Sequence, residues 1–188
     1  MAKISSYSQI TTPTSSDLLL GTDVGDDNKT KNFPIADLGA VLGLPLRVTK
    51  TLTVAELMTL KSNYVTILSN VGMGKLLSIE SVYARVNFAT TVYDFTADIG
   101  VSVEVPNVYA VRSFLMVKEF ANLAGTAQRK LEPTYLGDVV GGGQGVGENG
   151  GIFIQGDTGG TNPTQGDSTM TLTVFYRLFD TNMIPLTS

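Results

Sequence analysis

The side chains that could do chemistry in this chain are carboxylates. It carries 17 Asp and Glu but no His and no Cys. That removes the commonest general base, the Ser-His-Asp triad, thiolate nucleophiles and Cys-zinc sites. Asp94, Asp98, Glu104, Glu119, Glu132 and Asp138 are the candidates for glycoside hydrolysis, which needs two carboxylates held at a fixed separation across the scissile bond. Nothing in their spacing selects two that must converge. Asp23, Asp26, Asp27 and Asn28 crowd one turn and offer oxygens to a hard cation such as Ca²⁺, but the spacing and closing Glu of an EF-hand are missing. Glu148, Asp157 and Asp167 form a similar scattered set in glycine-rich loops. The expectation is no catalytic residue, no metal site and no cofactor.

Two glycine motifs invite a phosphate reading and fail on context. Residues 145–150, Gly-Val-Gly-Glu-Asn-Gly, match G-x-G-x-x-G, but dinucleotide binding needs a helix to follow, and Gly151-Ile-Phe-Ile-Gln reads as a strand. Gly72-Met-Gly-Lys75 resembles the end of a P-loop, yet Ser69 stands where the first glycine belongs and Leu76 follows the lysine. A hairpin turn is expected there. Tyr83, Tyr93, Tyr109, Tyr135 and Phe95 could stack on sugars, although aromatics on strands more often pack in a core or an interface.

The elements that would position these groups are strands. Residues 168–180 alternate with period two: Met170, Leu172, Val174, Tyr176 and Leu178 on one face, Thr169, Thr171, Thr173, Phe175, Arg177 and Phe179 on the other. Residues 75–88 form a long strand whose alternation slips, since Leu77 and Ile79 hold one parity and Val82, Ala84, Val86 and Phe88 the other. A bulge near Glu80 and Ser81 reconciles them. Further strands are expected at 64–68, 99–105, 111–120 and 152–154, with short ones at 128–132 and 135–140. Thr53-Val-Ala-Glu56 is a capping box, with Leu52 and Leu57 as its hydrophobic staple, and predicts a helix over 54–60. Runs of strands joined by glycine-rich loops predict an all-β chain: a jelly-roll-like β-sandwich with one or two short helices and an extended N-terminal arm.

That arm spans residues 1–46 and the β-sandwich domain residues 47–188. Within the arm, 18–24 and 30–33 read as a small hairpin around the acidic turn, and Pro34 as the start of a short helix over 34–42. Its apolar residues are too few to fold alone, so the arm must dock on something.

Composition bounds the partners. A net charge of −4, with 13 scattered Lys and Arg, argues against nucleic acid. No apolar run reaches the ~20 residues that span a bilayer, and the first residues lack the apolar core of a secretory signal, so synthesis in a cytosol and no membrane partner are expected.

Two stretches carry a resemblance. Ile4-Ser-Ser-Tyr-Ser-Gln-Ile-Thr-Thr-Pro-Thr-Ser-Ser-Asp-Leu-Leu-Leu-Gly-Thr-Asp-Val, followed by Lys29-Thr-Lys-Asn-Phe-Pro-Ile-Ala-Asp-Leu38, resembles the N-terminal virion-attachment segment of bacteriophage fibre and adaptor proteins. Leu52-Thr-Val-Ala-Glu-Leu, then Gly72-Met-Gly-Lys-Leu-Leu-Ser-Ile-Glu-Ser-Val-Tyr-Ala-Arg-Val-Asn-Phe and the terminal strand, is similar to a β-sandwich domain of phage structural proteins. The resemblance implies a non-enzymatic component of the virion (fibre, adaptor or capsid decoration) assembled in the host bacterial cytoplasm. Its partners would be other virion proteins of head or tail and further copies of itself, most simply as a trimer. The expected assembly contacts are Ile10, Leu18, Leu19, Leu20, Phe33, Ile35 and Leu38 in the arm, and Phe175 and Phe179 on the outer face of the last strand. The alternative expectation is a fibre module that binds cell-surface glycan.

Overall fold

A computed structural model describes residues 18–23, 29–34, 44–104, 111–133, 146–156 and 159–186. The chain divides into two compact units, Met1–Leu44 with Thr187–Ser188, and Pro45–Leu186. In the first unit, β1 (Leu18–Asp23) and β2 (Lys29–Pro34) pair antiparallel from Leu18 opposite Pro34 to Asp23 opposite Lys29. The hairpin expected around the acidic turn is therefore present. Pro34 closes its second strand rather than opening a helix, and the remainder of the expected 34–42 helix lies outside the described residues.

The second unit is a jelly-roll β-sandwich. Its eight framework strands are β3 (Leu46–Leu52), β4 (Val65–Leu68), β5 (Lys75–Asn87), β6 (Ile99–Glu104), β7 (Val111–Met116), β8 (Ala127–Lys130), β11 (Gly151–Gly156) and β12 (Thr169–Asp180). The first pairs with the last, the second with the seventh, the third with the sixth and the fourth with the fifth, all antiparallel. A long folded hairpin wrapped into two sheets gives this pattern. One sheet runs β3-β12-β5-β8, and the other β4-β11-β6-β7. Two short strands extend them: β9 (Glu132–Pro133) beside β7, and β10 (Val146–Glu148) on the edge of β5 that β8 also uses.

The core fills the space between the sheets. Met170, Leu172, Val174 and Leu178 of β12 face Ile99, Val101 and Val103 of β6 and Ile152 and Ile154 of β11 within one buried cluster. The long strand β5 keeps Leu77, Ile79, Val82, Ala84 and Val86 all inside because the register with β12 shifts between Phe175 and Tyr176. Ser81 faces Phe175 and Ile79 faces Tyr176, so Glu80 is the extra residue of a bulge, as the slipped alternation requires.

Helix α1 (Val54–Met58) opens on the expected capping box. Glu56 N–H donates to the Thr53 hydroxyl at 3.3 Å, and Thr53 N–H donates to the Glu56 carboxylate at 2.7 Å. Leu52 and Leu57 are both fully buried, as a staple demands. The helix stops two residues short of expectation, and the Thr59 hydroxyl donates back to the Ala55 carbonyl at its end.

Three expectations need correction. Strand β3 was not anticipated, and it lies on the edge of the closing strand. The apolar run 111–120 is not one strand: β7 ends at Met116, and α2 (Lys118–Ala121) turns Phe120 and Ala121 into the core. Its first N–H, on Lys118, donates to the Asp98 carboxylate at 2.9 Å, a cap supplied from a distant part of the chain. Residues 128–132 likewise do not form one strand. The chain crosses between sheets at Leu131, which is buried and donates its N–H to the Val82 carbonyl. The expected strand over 135–140 lies outside the described residues.

Candidate functional site

The carboxylates that could do chemistry are placed first. At one end of the sandwich, residues 88–98, between β5 and β6, lie against residues 159–168, which precede β12. Asp167 accepts from Thr90 N–H at 3.0 Å and Thr91 N–H at 2.8 Å, and from the Thr90 hydroxyl. Asp94 reciprocates, accepting from Thr164 N–H at 2.8 Å, the Thr164 hydroxyl at 2.5 Å and Gln165 N–H at 3.3 Å. Each loop thus gives one carboxylate to the other's backbone and threonine. The hydroxyl contacts, with the backbone N–H groups behind them, hold both carboxyls below the ordinary carboxylate range. A carboxylate pinned in its ionised form by such bonds is a structural acceptor and a poor general acid.

The same end is tied further. Asn162 accepts from Lys61 N–H and Ser62 N–H, and Asn122 exchanges two hydrogen bonds with the backbone of Phe95. Tyr93 lies beneath this junction, buried, and its hydroxyl donates to the Ser168 carbonyl at 2.6 Å. Burial first, then the charge of Asp167, pushes its phenol up to about 12. Gly166 packs flat on that ring. At its φ of +132° side-chain-bearing residues are rare, and a Cβ there would stand 2.2 Å from a Tyr93 ring carbon.

Asp94, Asp98 and Asp167 are engaged in loop and helix bonds, and Glu119 and Glu132 are exposed. No group of three or more acidic side chains gathers among the described residues. Asp26, Asp27, Asn28, Asp138 and Asp157 lie outside them, and the side chains of Asp23, Glu104 and Glu148 are likewise outside. Gly72-Met-Gly-Lys75 forms a turn, with Lys75 N–H donating to the Gly72 carbonyl. It is not a hairpin turn, because β4 and β5 belong to different sheets. Residues 146–150 lead through β10 and a tight turn into the strand β11, where a dinucleotide motif would need a helix.

Among the described residues, Tyr83 stands apart from Tyr93 and Phe95 rather than joining them in one platform. Tyr93 and Phe95 pack together in the core with ring centres 5.4 Å apart, while Tyr109 and Tyr135 lie outside the described residues. Tyr83 is on the outer face of the β3-β12-β5-β8 sheet, where its ring meets Phe175 edge-on at 6.0 Å. Phe175 is thereby half-buried against its own sheet. Phe179 is half-buried as well, and its backbone pairs with Pro185 where the chain folds back after β12. Leu18, Leu19 and Leu20 lie on β1 and Phe33 on β2 opposite Leu19, with side chains outside the described set. Ile10, Ile35 and Leu38 are outside it altogether.

One surface feature was not anticipated. Around the Tyr83–Phe175 pair, the outer face of that sheet carries Thr49, Thr51, Thr169, Thr171 and Thr173, with the side chains of Asn87, Arg47, Arg85, Gln128 and Lys130 in register. Threonines on neighbouring strands touch, Thr49 to Thr173 at 3.3 Å and Thr51 to Thr171 at 3.1 Å. The Thr-x-Thr-x-Thr run of β12 signals such a face in sequence, but its neighbours are known only once the strand register is known. No helix among the described residues is long and apolar enough to cross a membrane. No protein-family model matches the chain, and comparison with curated proteins finds no match.

Proposed function

We propose that this protein is a non-enzymatic structural component of a bacteriophage virion, anchored by its N-terminal unit and self-associating through its β domain. The observation that carries the reading is the division of the chain. Residues Pro45–Leu186 make a jelly roll with its own core, whereas the described part of the first unit is a single two-stranded hairpin. A lone hairpin is marginally stable in water and needs cover from a third element. The resemblance of residues 4–24 and 29–38 to a virion-attachment segment names that cover as another virion protein. The engagement of Asp94, Asp98 and Asp167 in structural bonds supports a role without catalysis.

The test uses virions produced from the genome that encodes the protein. A chain lacking residues 1–44 should remain soluble and β-folded by circular dichroism and be missing from purified particles. Incorporation at the full-length level would overturn the anchoring role. Light scattering on the full chain should give a closed oligomer, for which a trimer is the expectation; a clean monomer at micromolar concentration would remove self-association from the reading.

A further inference from the structure

The outer face of the β3-β12-β5-β8 sheet is cationic in an acidic protein. Directly opposite pairs share a face, so the register fixes its pattern. Arg47 stands opposite Phe175, Lys130 stands opposite Tyr83, and Arg85 follows Tyr83 two residues along β5. The aromatic pair therefore sits at the centre, with a cation on one side and two on the other. Arg47, Arg85 and Lys130 are exposed and have no acidic partner among the described residues. Arg177 and Glu80 on this face neutralise each other, and Glu148 of β10, which the register places opposite Leu76, is seven residues along β5 from Tyr83. The next acidic side chain along the chain, Glu132, is on β9 in the other sheet. Exposed Lys and Arg without counter-charges, in a chain of net charge −4, mark a place where positive potential is kept locally.

We propose that this face binds an anionic polysaccharide through its carboxylates. Its chemistry fits a chain of acidic sugars. Partly exposed aromatic rings offer an apolar surface for a sugar ring. The threonine hydroxyls keep donor or acceptor capacity beyond the bonds they make to one another, and they match a ligand made of hydroxyls. Strands about 4.8 Å apart put Arg47 and Lys130 three strand intervals from each other, and the register offsets them by two residues along the strands, so they stand roughly 16 Å apart, a span suited to several sugar units along an open face. Nucleic acid fits less well. It is held by clustered Lys and Arg tracking a dense line of phosphates, and three separated cations on a flat, hydroxyl-covered sheet do not supply that. The binding does not depend on how or where the protein is anchored.

The test is titration of the full chain with polygalacturonate at low and at physiological salt, with neutral dextran and double-stranded DNA as comparison ligands. Saturable, salt-sensitive binding of polygalacturonate is expected, with dextran unbound. Combining Arg47→Glu, Arg85→Glu and Lys130→Glu should weaken it about tenfold or more, since each lost exposed ion pair contributes modestly and the three act together. Lys61→Glu, on the turn after α1, should leave it unchanged. Should the triple variant fail to melt like the parent, Lys130→Glu alone and Tyr83→Leu alone are each expected to weaken binding. No binding at low salt would overturn the proposal. So would variants that bind like the parent, or DNA bound as tightly as polygalacturonate.

Discussion

The interior of the sandwich and its tied end are held by different forces. Between the sheets, Leu77, Val82, Ile99, Ile152, Leu172 and their neighbours are removed from water, and each large side chain buried stabilises the fold by about 1.5–3 kcal/mol without reference to pH. Where residues 88–98 meet residues 159–168, backbone and hydroxyl donors bond to two carboxylates and one buried phenol donates to a carbonyl, while Asn162 ties one loop to Lys61 and Ser62 and Asn122 holds the other at Phe95. Burial fixes which faces meet. Hydrogen bonds to ionised acceptors fix how the loops are threaded, and that part of the structure responds to protons.

The comparison can be broken by substitution. Leu172→Ala, in the centre of β12, should cost about 2–5 kcal/mol in denaturant unfolding, with the same cost at pH 4.5 and pH 7. A strongly pH-dependent cost would mean that the interior is not the proton-indifferent region. Gly166→Ala should cost about 1–3 kcal/mol, because the added methyl meets the Tyr93 ring at a backbone angle that alanine avoids. Nuclear magnetic resonance should show the disturbance in Tyr93 and its loop, with the β5–β12 register intact.

Tyr93→Phe leaves the buried Ser168 carbonyl without its phenol donor and should cost about 1–2 kcal/mol at neutral pH. The unfolded phenol ionises near 10 and the folded one near 12, so Tyr93 contributes stability that is complete below pH 10 and lost as pH rises through 12. Parent and Tyr93→Phe stabilities should converge over that interval. The smallest effect is acidic. Asp94 and Asp167 are held below their ordinary value of 3.8, so their contribution is present above it and disappears as pH falls through the lowered values. Asp94→Asn and Asp167→Asn should each destabilise at pH 7 and converge with the parent once the pH has fallen below those lowered values. A loss that persists there would show that shape, rather than charge, ties the loops.

Legibility in the sequence followed the range of the signal. The capping box at Thr53 and Glu56, the bulge at Glu80 and the inner face of β12 are written in residues two to four apart, and each was readable. Strand β3 was not, because Lys50 interrupts its apolar parity. The structure explains that residue, whose ammonium meets Glu56 of α1 at 3.0 Å. Helix α2 escaped because it is only four residues long, follows directly on β7, and takes its cap from Asp98, which lies outside the window in which local patterns are sought. The roles of Asp94 and Asp167, and the cationic face around Tyr83, depend on which loops and strands become neighbours, which no local pattern contains.

Strand order also has a consequence for biosynthesis. The last framework strand to leave the ribosome, β12, is an interior strand of its sheet, between β3 and β5. Until it emerges, β3 and β5 have unpaired edges where it will sit, and the apolar faces beneath them lack their cover. Pairings that join the beginning of a domain to its end are slow to form and prone to off-pathway association. A nascent or truncated chain ending before Thr169 would lack the interior strand that joins β3 to β5, and chaperone engagement or proteolysis should fall most heavily on such chains.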